Sequence, residues 1–180
     1  MKKPPKPGAI VKSPRDSFVI SRKLVMPDQI NSMGGLFGGN VMAWIDKVGA
    51  MVAQRHAALP VVTASIDQIA FLAPVRVSNH VILEGIVTYV GNSSMEISVG
   101  VWAENPFDGT KVQTTQAFLT FVALDPKGKP TRVPGLKIEN KIQQKLFDEA
   151  RKRVEMRSKN RQSFRSTVGK HPTLEEILAK

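Results

Sequence analysis

Asp46 is the first residue whose position calls for a chemical explanation. The apolar spacing around it is helical, and aspartate two turns inside a helix is a poor helix former that gains little from the macrodipole. Its neighbours at three, four and seven residues are Met42, Gly49, Ala50 and Ala53. A carboxylate on that small, apolar face is expected to be partly buried, which raises its pKa and makes it a usable base. The same residue also fits a solvent-facing carboxylate paired with Lys47 or Lys111, and spacing leaves both readings open. Gly38 and Gly39 open the helix, where glycine leaves the first N–H groups accessible to a ligand oxygen. Gly39 is seven residues before Asp46 and so shares its face. An amide donor and a carboxylate on one face suit an electrophilic carbonyl held between oxyanion donor and base. A plain capping glycine is the simpler alternative. Asn31 lies seven residues before Gly38 in a turn-rich loop, and taken alone it reads as a turn residue.

Other chemistries find little support. The chain has no cysteine, so thiolate catalysis and a disulfide framework are excluded. His56, His80 and His171 are far apart and lack ligand spacing, so no metal site is expected. His56 follows Arg55 at the helix end, where a cation suits the C-terminal dipole, and is read as structural. Moving a proton at carbon would want a His beside the carboxylate. None lies on the Asp46 face or in the loop before it, which disfavours a dehydratase.

These residues need elements to hold them. Residues 1–16 are rich in Pro and Lys and read as irregular. SFVISRKLVM (17–26) alternates as a strand and stops at Pro27. From about Gly38 to Ala58, Val41, Trp44, Ile45, Val48 and Val52 recur at three and four, predicting a helix closed by Pro60. Four strand-like runs follow, at 61–72, 81–91, 93–105 and 111–125, rich in Val, Ile, Thr and aromatics. Gly91-Asn92 between two of them reads as a hairpin. Residues 137–157 carry Ile138, Ile142, Leu146 and Ala150 at every fourth position, predicting a basic amphipathic helix. A short helix over 173–180 is a further possibility. One helix followed by four consecutive strands predicts an α+β fold with an antiparallel curved sheet wrapped around one long central helix, plus a C-terminal helix. The organisation expected is a flexible start (1–16), one domain (17–134) and a basic helix and tail (135–180).

The net charge of +11 suggests a polyanion partner, but its distribution does not favour nucleic acid. Between Asn31 and Gly135 there are seven Lys/Arg and seven Asp/Glu, so the whole excess lies in the flanks. No aromatics interleave a basic stripe as single-strand binding would want. The absence of an apolar run long enough to span a membrane and of a secretory h-region leads to a cytoplasmic expectation.

The run MPDQINSMGGLFGGNVMAWIDKVGAMVAQRHA resembles the acyl-CoA thioester hydrolases of the hotdog superfamily. Their pattern is met by Met26-Pro27, Asn31, Gly34, Phe37-Gly38-Gly39, Met42 and Ile45-Asp46. The likeness continues through VVTASIDQIAFLAPV, VGNSSMEISVGVWAEN and TTQAFLTFVALD, and covers about residues 17–134. The Pro-rich start and the basic tail after Pro134 depart from it.

The resemblance implies a hotdog fold and hydrolysis of acyl-CoA thioesters, with coenzyme A as part of the substrate and no separate cofactor. It implies dimers whose sheets join into one, in many members assembled as trimers of dimers. It implies a catalytic pair, Asn31 and Asp46, contributed by different subunits. Thr63, Ala64 and Ser65, and Asn92, Ser93 and Ser94, match positions where relatives contact coenzyme A. A thioester is electrophilic enough to need no Ser–His triad, so Asp46 would act as base or as nucleophile, with Gly39 as oxyanion donor. The basic flank then suits the nucleotide phosphates, with Arg151 and Arg153 as candidates, unless it is a solvated helix face. A non-catalytic acyl-CoA-binding regulator is the rival reading.

Overall fold

A computed structural model of the chain describes residues 10–167, with side chains as far as Asn160. In chain order the elements are β1 (Val11–Lys12), α1 (Pro14–Ser17), β2 (Val19–Leu24), a 3-10 turn (Pro27–Gln29), α2 (Gly38–Ala57), β3 (Val61–Phe71), β4 (His80–Val90), β5 (Ser94–Glu104), β6 (Lys111–Ala123), β7 (Gly135–Leu136) and α3 (Lys141–Thr167).

The five long strands form one antiparallel sheet in the order β2-β4-β5-β6-β3. α2 lies on one face. Val41, Ile45, Val48 and Val52 are buried there, as their spacing predicts, and Trp44 packs at the margin. The sheet answers with alternate residues: Leu83 and Val87 of β4, Ile97 and Val99 of β5, Leu119 and Phe121 of β6. Full burial of each such side chain contributes roughly 1.5–3 kcal/mol. Helix and sheet come close enough to require two glycines. A Cβ on Gly85 would lie 2.7 Å from the Val52 side chain, and one on Gly49 would lie 2.8 Å from the Phe121 ring.

α3 covers the opposite face of the sheet. It starts at Lys141 rather than near 137, because Asn140 caps it: the Gln143 N–H donates to Asn140 Oδ1 at 2.9 Å. Ala150 is fully buried beneath it, and Phe147 packs on Tyr89 with ring centroids 5.1 Å apart.

The irregular start expected over 1–16 is corrected from Val11 onward. β1 pairs in parallel with β7, Val11 opposite Gly135. Ser13 and Asp16 form a reciprocal capping box around α1, with Pro14 at its first position, so two otherwise orphan amides are satisfied locally. This segment clasps the end of α2. Lys12 Nζ donates to the Arg55 carbonyl at 2.7 Å, and Arg55 donates to the Phe18 carbonyl at 2.9 Å. Residues 1–9, His171 and the possible helix over 173–180 lie outside the described residues.

Candidate active site at the edge of the central helix

Asp46 sits on the flank of α2 that faces the edge strand β3. It is half-buried, and its Oδ1 accepts a hydrogen bond from Thr63 Oγ1 at 2.7 Å. Neither lysine alternative holds, since Asp46 forms no ion pair among the described residues and Lys111 bonds to Glu104 at 3.3 Å. The hydroxyl fixes one carboxylate oxygen and leaves Oδ2 for another partner. Thr63 thus has a task that spacing did not reveal, because the two residues lie on different elements and nothing local links them.

The loop before α2 is built around Asn31. Its Oδ1 accepts from the amides of Met33 (2.9 Å) and Gly35 (3.2 Å), and its own N–H donates to the Gly35 carbonyl at 2.7 Å. Gly34 takes a φ of +75° to close this turn, a conformation that suits glycine. Asn31 is therefore a turn residue in structural terms, with its amide nitrogen left exposed beside a cleft. That cleft has a volume of about 340 Å³ and is lined by Asn31, Leu36, Val41, Phe71, Leu72 and Val75 among others.

Gly39 lies in the first turn of α2, where helix geometry leaves the Gly38 and Gly39 amides without an intrahelical acceptor. The Phe37 ring lies over Gly39 so closely that a Cβ there would be 2.3 Å from it. From Gly39 to Asp46 is about 10 Å of helix axis. A single chain therefore offers a donor end, with Asn31 and Gly39, and a separate carboxylate end, with Asp46 and Thr63.

The remaining sequence candidates fall into two groups. Ser94 pairs with Val122, which pairs with Val62, so Asn92–Ser94 and Thr63–Ser65 share one end of the sheet, about 10 Å apart across two strand spacings. Ser65 Oγ is engaged by Asp67 Oδ1 at 2.9 Å, and Ala64 sits at a β-bulge. Asn92 accepts from Arg132 at 3.3 Å, and the Ser93 carbonyl accepts from Ala123 N–H at 2.9 Å. Arg153 is a correction. It is not a free cation: its guanidinium bonds to Glu96 at 2.8 Å and lies 3.8 Å from the Phe118 ring centroid. Without it the buried Glu96 carboxylate would keep under α3 only the more distant Arg157, 3.9 Å away, which is why the arginine is held there. Arg151, by contrast, is exposed, 3.7 Å from Asp148.

The structural reading of His56 holds, but not as a cation. It is fully buried, and burial pushes its pKa below the ordinary histidine value. Nε2 donates to the Pro134 carbonyl at 3.2 Å, which leaves Nδ1 to accept from Ser17 Oγ at 3.4 Å. Among the described residues no cluster of His, Asp and Glu is placed to hold a metal ion, and no helix is long and apolar enough to cross a membrane.

Comparison with known proteins decides the family. The model of the thioesterase superfamily matches residues 33–107. An uncharacterized acyl-CoA thioester hydrolase of Bacillus subtilis is 40% identical over 147 residues, which are 82% of this chain and 85% of that one. The chain belongs to the acyl-CoA thioester hydrolases. The fold of this thioesterase is that of an acyl-CoA hydrolase from Staphylococcus aureus, solved with butyryl coenzyme A and coenzyme A. The TM-score is 0.84 at 36% identity, covering 88% of this chain and 97% of that one. A hexameric acyl-CoA thioesterase superposes with a TM-score of 0.81 at 39% identity, covering 84% and 97%. The Staphylococcus hydrolase has also been solved with one Asp, one Asn or one Thr replaced by Ala.

Proposed function

We propose that this thioesterase hydrolyses acyl-CoA to free acid and coenzyme A, with Asp46 as general base or nucleophile and Thr63 as its hydrogen-bond partner. The observation that carries the proposal is the 2.7 Å bond between Thr63 and Asp46. It aims a half-buried carboxylate along a small-residue helix face and leaves Oδ2 free to meet a water or a thioester carbon. The Asn, Asp and Thr replaced in the Staphylococcus hydrolase follow one another at intervals of fifteen and seventeen residues. Asn31, Asp46 and Thr63 have the same order and the same intervals.

The active unit in this reading is a dimer, and the site is shared. Asn31 and the Gly39 amide of one subunit orient the water and the thioester oxygen, and Asp46 of the other supplies the carboxylate. The separation of donor end and carboxylate end within one chain supports this. So does β3, an edge strand that exposes Val62, Ile66 and Phe71. Such an edge is a liability unless another chain covers it. Trimerisation of dimers to a hexamer is the further assembly we propose. The setting is cytoplasmic, which a cysteine-free chain suits. Asn92–Ser94 and the exposed Arg151 are the proposed contacts for coenzyme A.

The chemistry balances without a cofactor. Water adds to the thioester carbonyl as Asp46 takes its proton, or the carboxylate adds and water later cleaves the anhydride. Either way the C–S bond breaks, and the thiolate leaves as coenzyme A. The test is release of free thiol from acyl-CoA by the wild-type chain and by Asp46→Asn. Turnover lost by at least ~10²-fold in a folded variant is the expected result for a positioned acid or base. Near-wild-type kcat would overturn the assignment, and a wild-type chain that binds acyl-CoA without releasing thiol would favour a regulator.

A further inference from the structure

The strand that carries Thr63 does not run straight. β3 has two breaks of register against β6, one between Thr63 and Ser65 and one between Ile66 and Gln68. Ala64 and Asp67 are the extra residues. Bulges of this kind bend a strand and re-aim its side chains, and here the first follows directly on Thr63 and the second three residues later. At Ala64 and Asp67 the ladder to β6 is interrupted, and among the described residues no strand pairs with the other edge of β3.

Something else holds the bend. Asp67 Oδ1 accepts from Ser65 Oγ at 2.9 Å, which ties the second bulge to the residue after the first. Asp67 Oδ2 is bonded by Arg157 Nη1, which reaches it from α3 on the back of the sheet. Both side chains are about four-fifths buried, with 20% and 18% of their surfaces exposed. Arg157 is itself anchored. Its Nη1 is 3.9 Å from Glu96 Oε2, and Glu96 is held by Arg153 at 2.8 Å and by Thr88 Oγ1 at 2.9 Å. An arginine with so little solvent, placed on a bulge in an edge strand, is more than a solvated helix charge.

We propose that Arg157 and Asp67 are positioning residues for the hydrolysis: their ion pair sets the bend of β3 from Thr63 to Asp67, and with it the direction in which the Thr63 hydroxyl meets Asp46. The proposal rests on the reading of Asp46 as base or nucleophile. Neither residue touches substrate. α3 acts through the sheet, and the C-terminal helix becomes part of the catalytic geometry.

The experiment is a steady-state comparison of thiol release by the full chain and its variants. Arg157→Ala should lower kcat about tenfold while KM stays within about twofold, because misplacing a catalytic group by a fraction of an ångström slows chemistry without weakening ground-state binding. Arg157→Lys should recover part of the loss, keeping the charge without the fork. The decisive arm is the Thr63→Ala background, where Arg157→Ala should cost nothing further, since no hydroxyl remains to be aimed. If Arg157→Ala fails to fold, Asp67→Asn removes the ion pair with little change of shape and supplies the same comparison. An unchanged kcat, or an equal loss with and without Thr63, overturns the proposal. If Asp46→Asn is inactive and Arg157→Ala matches the wild type, the positioning role alone falls. If Asp46→Asn keeps wild-type turnover, the reading of the site falls first and takes this proposal with it.

Discussion

Thr63 Oγ1 donates to Asp46 Oδ1 from an edge strand, 2.7 Å away, and so fixes the rotamer of a carboxylate that the helix alone would leave free. A hydroxyl bonded to a charged acceptor contributes about 1.5–3 kcal/mol. Thr63→Ala should therefore lower kcat by about tenfold or more, with little change in KM. Thr63→Ser, which keeps the donor, should recover most of it. Equal losses in both variants would show that the methyl group matters rather than the bond.

Complementation tests the shared site. Asn31→Ala and Asp46→Ala chains should each be inactive alone. Mixed under conditions that exchange subunits, they should regain activity, because one site of each hybrid dimer recovers both residues. No recovery after exchange is demonstrated, by mass or by fluorescence, would place both residues of a site in one chain.

Arg151 and Arg153 should behave oppositely. Arg153→Ala leaves the buried Glu96 with only the more distant Arg157 as cation. Breaking a buried pair in this way costs about 3 kcal/mol, read as a lowered denaturation midpoint. Arg151→Ala should leave stability alone and raise KM for acyl-CoA, an effect that shrinks with salt as an exposed charge contact must. A stability loss from Arg151→Ala, or none from Arg153→Ala, would contradict the structure.

The His56 latch sets a pH dependence. Its folded pKa lies below the ordinary value near 6.5, so below that pH the unfolded chain binds the proton first. Stability from this group is complete above about pH 6.5 and is lost as pH falls toward the folded pKa. The slope approaches about 1.4 kcal/mol per pH unit for one proton. Urea midpoints between pH 7 and pH 5 should fall more steeply for the wild type than for His56→Gln. Parallel curves would mean that His56 does not titrate on unfolding.

The fold is legible in the sequence where the information is periodic. α2 was legible from Val41, Ile45, Val48 and Val52, and the sheet from runs of alternating β-formers bounded by turns. Asn31, Gly39 and Asp46 stand out as candidates because the family pattern gathers them in one short run of the chain. Contacts that join distant segments are not legible in this way. Asp46 to Thr63, Asp67 to Arg157 and Glu96 to Arg153 each join different elements, and no spacing rule connects them. Arg153 was misread for this reason: on a basic helix it looks like any exposed cation until its buried partner is known. The start of the chain was misread on composition, although Ser13-Pro14-Arg15-Asp16 carries a capping signature that outweighs the surrounding Pro and Lys.

The clasp between β1 and β7 has a consequence for the timing of folding. Val11 meets Gly135, the widest sequence separation of any strand pairing in the fold, so its formation must wait until the sheet has brought both segments to the end of α2. Contacts made that late should have φ-values near zero, which folding and unfolding rates of the variants would check. Weakening Lys12, Ser13 or Ser17 then leaves the rate of folding almost untouched and quickens unfolding. The clasp governs how long the native chain persists once made, and its contribution is one of lifetime.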